Sequence, residues 1–143
     1  MSKSALRRRV APSVPFVLEY SDASGTYKEA LQLSYNWNGL ALIEEKLGKS
    51  TLLDIGELLD NPTATTLSVL LWAAVQENHP EYDGEEGLAT LRCNMTLATA
   101  LAVRAACSRA FITQLPPEQV SAFEAAIAGT TPPLAQSPAE PKV

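Results

Sequence analysis

Metal-binding and redox-active side chains are scarce in this chain: His79 is its one histidine, and Cys93 and Cys107 are its two cysteines. A metal centre of imidazole and thiolate needs more ligands at suitable spacing than these provide, so no metal and no cofactor are expected. The cysteines lie fourteen positions apart. On one helix that is a rise of roughly 21 Å, far beyond disulfide reach, and both read as reduced core residues. Aromatic residues make up only 6% of the chain, and 11 basic residues face 16 acidic ones for a net charge of −5. That balance speaks against binding nucleic acid through its phosphates, which takes clustered lysine and arginine. No stretch approaches the ~20 apolar residues that span a bilayer, so no membrane association is expected. The basic start, Lys3 with Arg7, Arg8 and Arg9, leads into Pro12 and Pro15 rather than an apolar run, so the pattern of a secretory signal is missing.

Catalytic patterns are missing as well. Glu44, Glu45, Glu77, Glu81, Glu85 and Glu86 follow helix surfaces and turns, where solvated charge is expected, instead of forming a converging acid and base pair. His79 sits between Asn78 and Pro80 with no serine or cysteine nucleophile beside it, and a helix-ending or turn role suits it better. Gly84 and Gly87 lack the lysine and following hydroxyl of a phosphate loop. The chain reads as a non-enzyme.

What the sequence has in quantity is alanine and leucine, in a chain that is 46% hydrophobic and 19% charged. This is a globular balance with a helical bias. At 143 residues the expectation is one domain plus tails: a flexible basic segment 1–14, a globular domain 15–128 and a disordered Pro-rich tail 129–143. The expected fold is mainly α (α+β), an N-terminal β-hairpin over 15–35 packed on a small bundle of about five to six helices over 36–128.

The bundle is expected to form around Ala64–Asn78. There Leu67, Leu70, Leu71, Ala74 and Val75 recur at i, i+3, i+4, i+7 and i+8, with Trp72 off the centre of the stripe. Such a wide buried arc places the helix in the middle of the bundle, opened by Asn61-Pro62 and stopped by His79-Pro80. Upstream, Pro15–Tyr20 and Tyr27–Tyr35 read as strands joined by a turn over Ser21–Gly25. In the second strand Tyr27, Glu29, Leu31, Leu33 and Tyr35 share one face, which must lie on helices because a lone hairpin is marginal. Asn36 or Asn38 caps a helix to Leu47, with Trp37, Leu40, Ile43 and Leu47 near one face and Gly48 at its end.

Leu52–Leu59 forms a short helix, capped by Ser50 or Thr51, with more leucine than one narrow stripe can bury. Asp83 and Glu86 have capping-box spacing at the start of a helix over Gly84–Cys93 that Gly87 weakens. Asn94–Thr113 forms a long helix with Leu97, Leu101, Ala105, Ser108 and Ile112 on one line and Val103 and Phe111 off it, which gives it two usable surfaces. Pro116-Pro117 breaks that helix, and Glu118–Ala128 is the last, with Val120, Phe123, Ala126 and Ile127 on its apolar side and Gly129 at its end.

Several of these segments resemble the small tail assembly chaperones of long-tailed bacteriophages and the related tail proteins of prophages and gene-transfer agents. The resemblance rests on Leu33-Ser34-Tyr35-Asn36 through Asn38-Gly39-Leu40, on Ile43–Gly48, on Leu70-Leu71-Trp72-Ala73-Ala74 with His79-Pro80, and on Asp83–Leu91. It covers about Tyr27 to Ala110; the first twenty-six residues, with their arginine run, depart from the shortest members. It implies a non-enzymatic protein of the infected host cytoplasm that binds the tape measure protein and keeps it soluble before the tail tube polymerises. In the family a frameshifted longer form often recruits tail tube subunits.

Leu52, Leu53, Leu58, Leu59, Leu101 and Phe111 are the residues expected to bind the partner, by covering the apolar side of a long helical rod. A homo-oligomer is also open to such a surface. Two other readings stand beside this one: a structural tail protein retained in the virion as tube, connector or completion protein, and a small regulator binding nucleic acid through the basic N-terminus.

Overall fold

The computed structural model describes residues 10–60 and 62–128, and of 51–55 and 125–128 the backbone alone. The expected 1–9 part of the basic tail, the Asn61 cap, the side chains of Leu52, Leu53, Ala126 and Ile127, the Gly129 stop and the tail to Val143 lie outside the described residues. Strands β1 (Val14–Asp22) and β2 (Gly25–Leu33) precede helices α1 (Trp37–Leu47), α2 (Thr51–Asp60), α3 (Ala64–Val75), α4 (Gly84–Asn94), α5 (Leu97–Ile112) and α6 (Pro117–Ala128), with one 3₁₀ turn, Pro80–Tyr82, before α4. The hairpin-on-helices architecture is the α+β fold that the patterning predicts.

The strands pair antiparallel from Val14 opposite Leu33 to Asp22 opposite Gly25. At the turn the Asp22 carboxylate accepts hydrogen bonds from the Ser24 amide (2.8 Å) and hydroxyl (2.7 Å). These bonds hold its acid group below the usual carboxylate range. Leu18, Leu31 and Leu33 are buried, with Val14, Phe16 and Tyr20 half-buried behind them, while the alternate positions face outward. The inward face rests on α3 and α5. Beyond the last ladder pair Ser34 donates its amide to the Ala74 carbonyl at 2.8 Å, and the buried Tyr35 hydroxyl donates to the Leu70 carbonyl at 2.8 Å. The strand therefore runs straight into the hydrogen bonding of α3.

Every residue of α3 from Leu67 to Val75 is buried. The helix is buried around its whole circumference because α1, α4, α5 and β2 all pack on it, and apart from Ser68 the buried residues are apolar. It stops at Val75, three residues short of the expected Asn78, and its cap is Thr63, whose hydroxyl accepts from the Thr66 amide at 3.0 Å. Asn36 caps α1 by accepting from the Gly39 amide at 2.7 Å, and Gly48 ends it. Leu40 and Ile43 are buried as expected, but Trp37 is 73% exposed. The cause is the contact of α1 with α3 at Gly39, where an added Cβ would lie 3.1 Å from the Ala73 carbonyl oxygen. That close approach turns the Gly39 side of α1 inward and carries Trp37 out.

Two helix starts also differ from the pattern. Asp83 stands at the N-cap of α4 but makes no side-chain capping bond. The capping box is instead at α5, where the Thr96 hydroxyl accepts from the Thr99 amide and the Thr99 hydroxyl from the Thr96 amide. Gly87 makes room in α4: a Cβ there would overlap the Tyr82 carbonyl, so glycine is what lets the 3₁₀ turn lie on the helix. The Trp72 indole (2.9 Å) and the Gln76 amide (3.1 Å) both donate to that same carbonyl, fastening the turn to α3.

Candidate functional site

The polar side chains that join distant parts of the chain at the end of α3 do structural work. His79 Nε2 accepts from the Gln32 amide on the outer edge of β2 at 2.9 Å, which leaves the proton of the neutral ring on Nδ1, 3.6 Å from the Glu81 carboxylate. Asn78 donates to the Gln32 carbonyl and the Ser34 hydroxyl, both at 3.4 Å. This pair therefore ties the strand edge to the end of α3. The carboxylates of α1 and α4 lie apart from it: Lys46 pairs with Glu85 and stands 5.8 Å over the Trp72 ring. Among the described residues no three His, Cys, Asp or Glu side chains are grouped to hold a metal ion, and no helix is long and apolar enough to cross a membrane.

Cys107 is buried in contact with the Tyr35 hydroxyl. Burial pushes its thiol up to about 12, against smaller lowering by the Tyr35 contact and the Arg109 charge. Burial likewise raises Tyr35 well above the ordinary phenol range, with the Cys107 interaction adding to it. Groups held this strongly in their neutral forms pack rather than react. Cys93, in contrast, is exposed.

The expected partner surface is only partly where the residue pattern placed it. Leu58, Leu59 and Phe111 belong to the core, so their assignment to an outer surface is corrected. Phe111 lies edge-on to Tyr35 (6.1 Å) and against Phe123 (5.5 Å), and the Leu59 carbonyl accepts from Arg104, which also faces Asp60 at 3.9 Å. Leu58 and Leu59 lie at the end of α2, which packs against α1, α5 and α6. Leu101 alone among the side chains assigned there and described is exposed, at 68%.

Around Leu101 the structure assembles a surface that the one-dimensional pattern hid. The buried side of α5 is Val103, Ala106, Cys107, Ser108, Ala110 and Phe111. On the opposite side Leu97 (95% exposed), Ala98, Leu101, Ala102 and Ala105 face solvent. The first part of the expected line, Leu97, Leu101 and Ala105, is thus on the outer face, whereas its continuation at Ser108 is buried with Val103 and Phe111. A surface helix ordinarily turns charges to water on the side opposite its core; here the first charge along the outer face is Arg109. At its N-terminal end the face meets a groove of about 580 Å³ between the starts of α3 and α5 and the end of α4, lined by Pro62, Leu67, Met95, Leu97 and Ala100 with Arg92 on its wall. Arg92 is held there by donating from Nε to the Ser68 hydroxyl at 3.0 Å.

Sequence reasoning assigned the Ala98–Phe111 helix to a partner surface but did not join Arg92, Leu97 and Arg109 to it. A signal for it is present, since from Gly87 through Pro117 the chain holds arginines 92, 104 and 109 and no acidic residue. Comparison with protein families, with characterised proteins and with solved structures finds no match in any of the three.

Proposed function

We propose that this chain is a tail assembly chaperone of a long-tailed bacteriophage, a non-enzymatic protein that works in the host cytoplasm without a cofactor. It covers the tape measure protein and keeps it soluble until the tail tube, whose subunits it helps recruit, closes around it. The observation that supports this reading is the outer face of α5. Five successive outward positions are apolar on a helix whose opposite side is already fully used by the core, so the face has a use other than folding. A tape measure protein is a long helical rod with an apolar side, and a helix face of this size supplies a small contact that many copies along one rod multiply by avidity. The resemblance of residues 27–110 to these chaperones is the ground for this choice of partner, and the α5 surface supports this way of holding it.

The test is co-expression with the tape measure protein encoded alongside it. Wild type is expected to keep that protein in the soluble fraction and to co-purify with it. The Leu97→Asp/Leu101→Asp variant is expected to stay folded and lose both effects. A folded variant that retains its partner as well as wild type does, or recovery of the chain from purified virions in the stoichiometry of a tube subunit, refutes the reading.

A further inference from the structure

The outer face of α5 carries more information than its apolarity. The chain has a net charge of −5, yet its 16 acidic residues all lie outside Gly87–Pro117. Arg92 stands at the groove where the apolar stripe begins, and Arg109 stands exposed where it ends. From Leu97 to Arg109 the rise is roughly 18 Å. Arg104, the remaining arginine of this stretch, is spent inward on the Leu59 carbonyl and Asp60. None of the ion pairs among the described residues involves Arg92 or Arg109. An apolar ridge is thus closed at both ends by cations, on a molecule that is otherwise acidic.

We infer that this face docks a single amphipathic helix whose apolar stripe carries a carboxylate at each end, one to meet Arg92 and one to meet Arg109. Charge complementarity selects acidic flanks, because each carboxylate meets an arginine with no acidic neighbour in its own stretch of chain. The backbone selects a helix over a strand. Leucine and alanine side chains offer no hydrogen bonds, so an extended segment lying on them would leave its amides and carbonyls unpaired, whereas a helix satisfies its own. Ala98, Ala102 and Ala105 allow that helix to come close, and the groove beside Leu97 receives a large apolar side chain at one end of it. The inference rests on reading the α5 face as the partner surface, but not on which protein supplies the helix.

The experiment uses the full chain and two synthetic helical peptides as probes. They share one leucine and alanine stripe and differ only in carrying glutamate or lysine at the two flanking positions. Fluorescence anisotropy is expected to show the glutamate peptide binding at least tenfold tighter than the lysine peptide, with the gap narrowing at high salt. In Arg92→Glu/Arg109→Glu the preference is expected to invert, and in Leu97→Ser/Leu101→Ser both peptides are expected to be lost while the circular dichroism spectrum is unchanged.

Equal affinity for the two peptides, or no binding of either, overturns the inference. So does concentration-dependent self-association abolished by Leu97→Ser/Leu101→Ser, which makes a second copy the occupant. Sedimentation of the chain with phosphatidylserine vesicles in preference to the glutamate peptide overturns it too, by making the occupant a lipid surface. The chaperone reading fails separately. If the glutamate peptide binds and the tape measure protein is not retained, that reading falls and the inference stands; if Arg92→Glu/Arg109→Glu retains the tape measure protein as wild type does, the inference falls and the reading stands.

Discussion

Gly87 shows how a single hydrogen in place of a methyl decides a local structure. Its Cα faces the Tyr82 carbonyl so closely that any Cβ would overlap it, and that carbonyl is also the acceptor for Trp72 and Gln76. Gly87→Ala must push the 3₁₀ turn off α4 and break bonds to α3. The methyl group's better helix propensity recovers only about 1 kcal/mol of that loss. A net destabilisation of about 3 kcal/mol is expected, in the range of overpacked cores with lost buried hydrogen bonds, and chemical denaturation measures it. A neutral or stabilised variant would mean that the close contact is absent in solution. By periodicity alone the same glycine is a flaw in a helix. The difference between flaw and requirement lies in Tyr82, which is only five positions away in sequence but belongs to another element.

At the scale of elements, α2 and α5 were both expected to offer outer surface, and they part company. Leu58 and Leu59 of α2 are covered by the core, while the alanine-rich α5, whose sequence left open which side meets the core, turns Leu97 and Leu101 to water. Paired substitutions distinguish the two. Leu59→Ala, at a fully buried position on α2, is expected to cost about 3 kcal/mol of folding stability. Leu101→Ala, on the outer face of α5, is expected to shift it by less than about 0.5 kcal/mol. Thermal unfolding followed by circular dichroism compares them; similar losses in both variants would place Leu101 in a core contact. The assignment was illegible in one dimension because α5 is apolar on both sides. Periodicity locates a stripe only where a polar side contrasts with it. Leu58, Leu59 and Phe111 were misplaced for the related reason that an apolar residue is written the same way whether its neighbour is this chain or another.

For the molecule as a whole, the hairpin, α3 and α5 meet at Tyr35 and Cys107, two buried groups that hold their protons far more tightly in the fold than in the unfolded chain. A raised folded value stabilises fully at pH below the unfolded value and loses that contribution as pH rises toward the folded one. For Cys107 the window runs from the ordinary value of 9.0 up to about 12, and Tyr35 acts in the same direction from 10.0 upward. Urea denaturation is therefore expected to give a stability that begins to fall above pH 9, by up to about 4 kcal/mol from the thiol alone at the top of the window. Cys107→Ala is expected to remove the earliest part of that fall and leave the part due to Tyr35. An unchanged alkaline profile in the variant would show that the thiol is not sealed in the core.

Residue order alone determined the elements and the centre of this protein. Alternation put Leu31 and Leu33 on the inward face of β2, though Tyr27 on the same face is exposed, the run from Leu67 to Val75 marked α3 as the middle of the bundle, and Gly48 ended α1. These are local effects, in which backbone geometry and burial act on residues a few positions apart. Tertiary structure decided which side of α5 is covered, why Gly87 is required, where Trp37 points and that His79 secures a strand edge. Each of those depends on a neighbour brought near by the path of the chain, and a close approach or a hydrogen bond between distant segments leaves no periodic mark in the sequence.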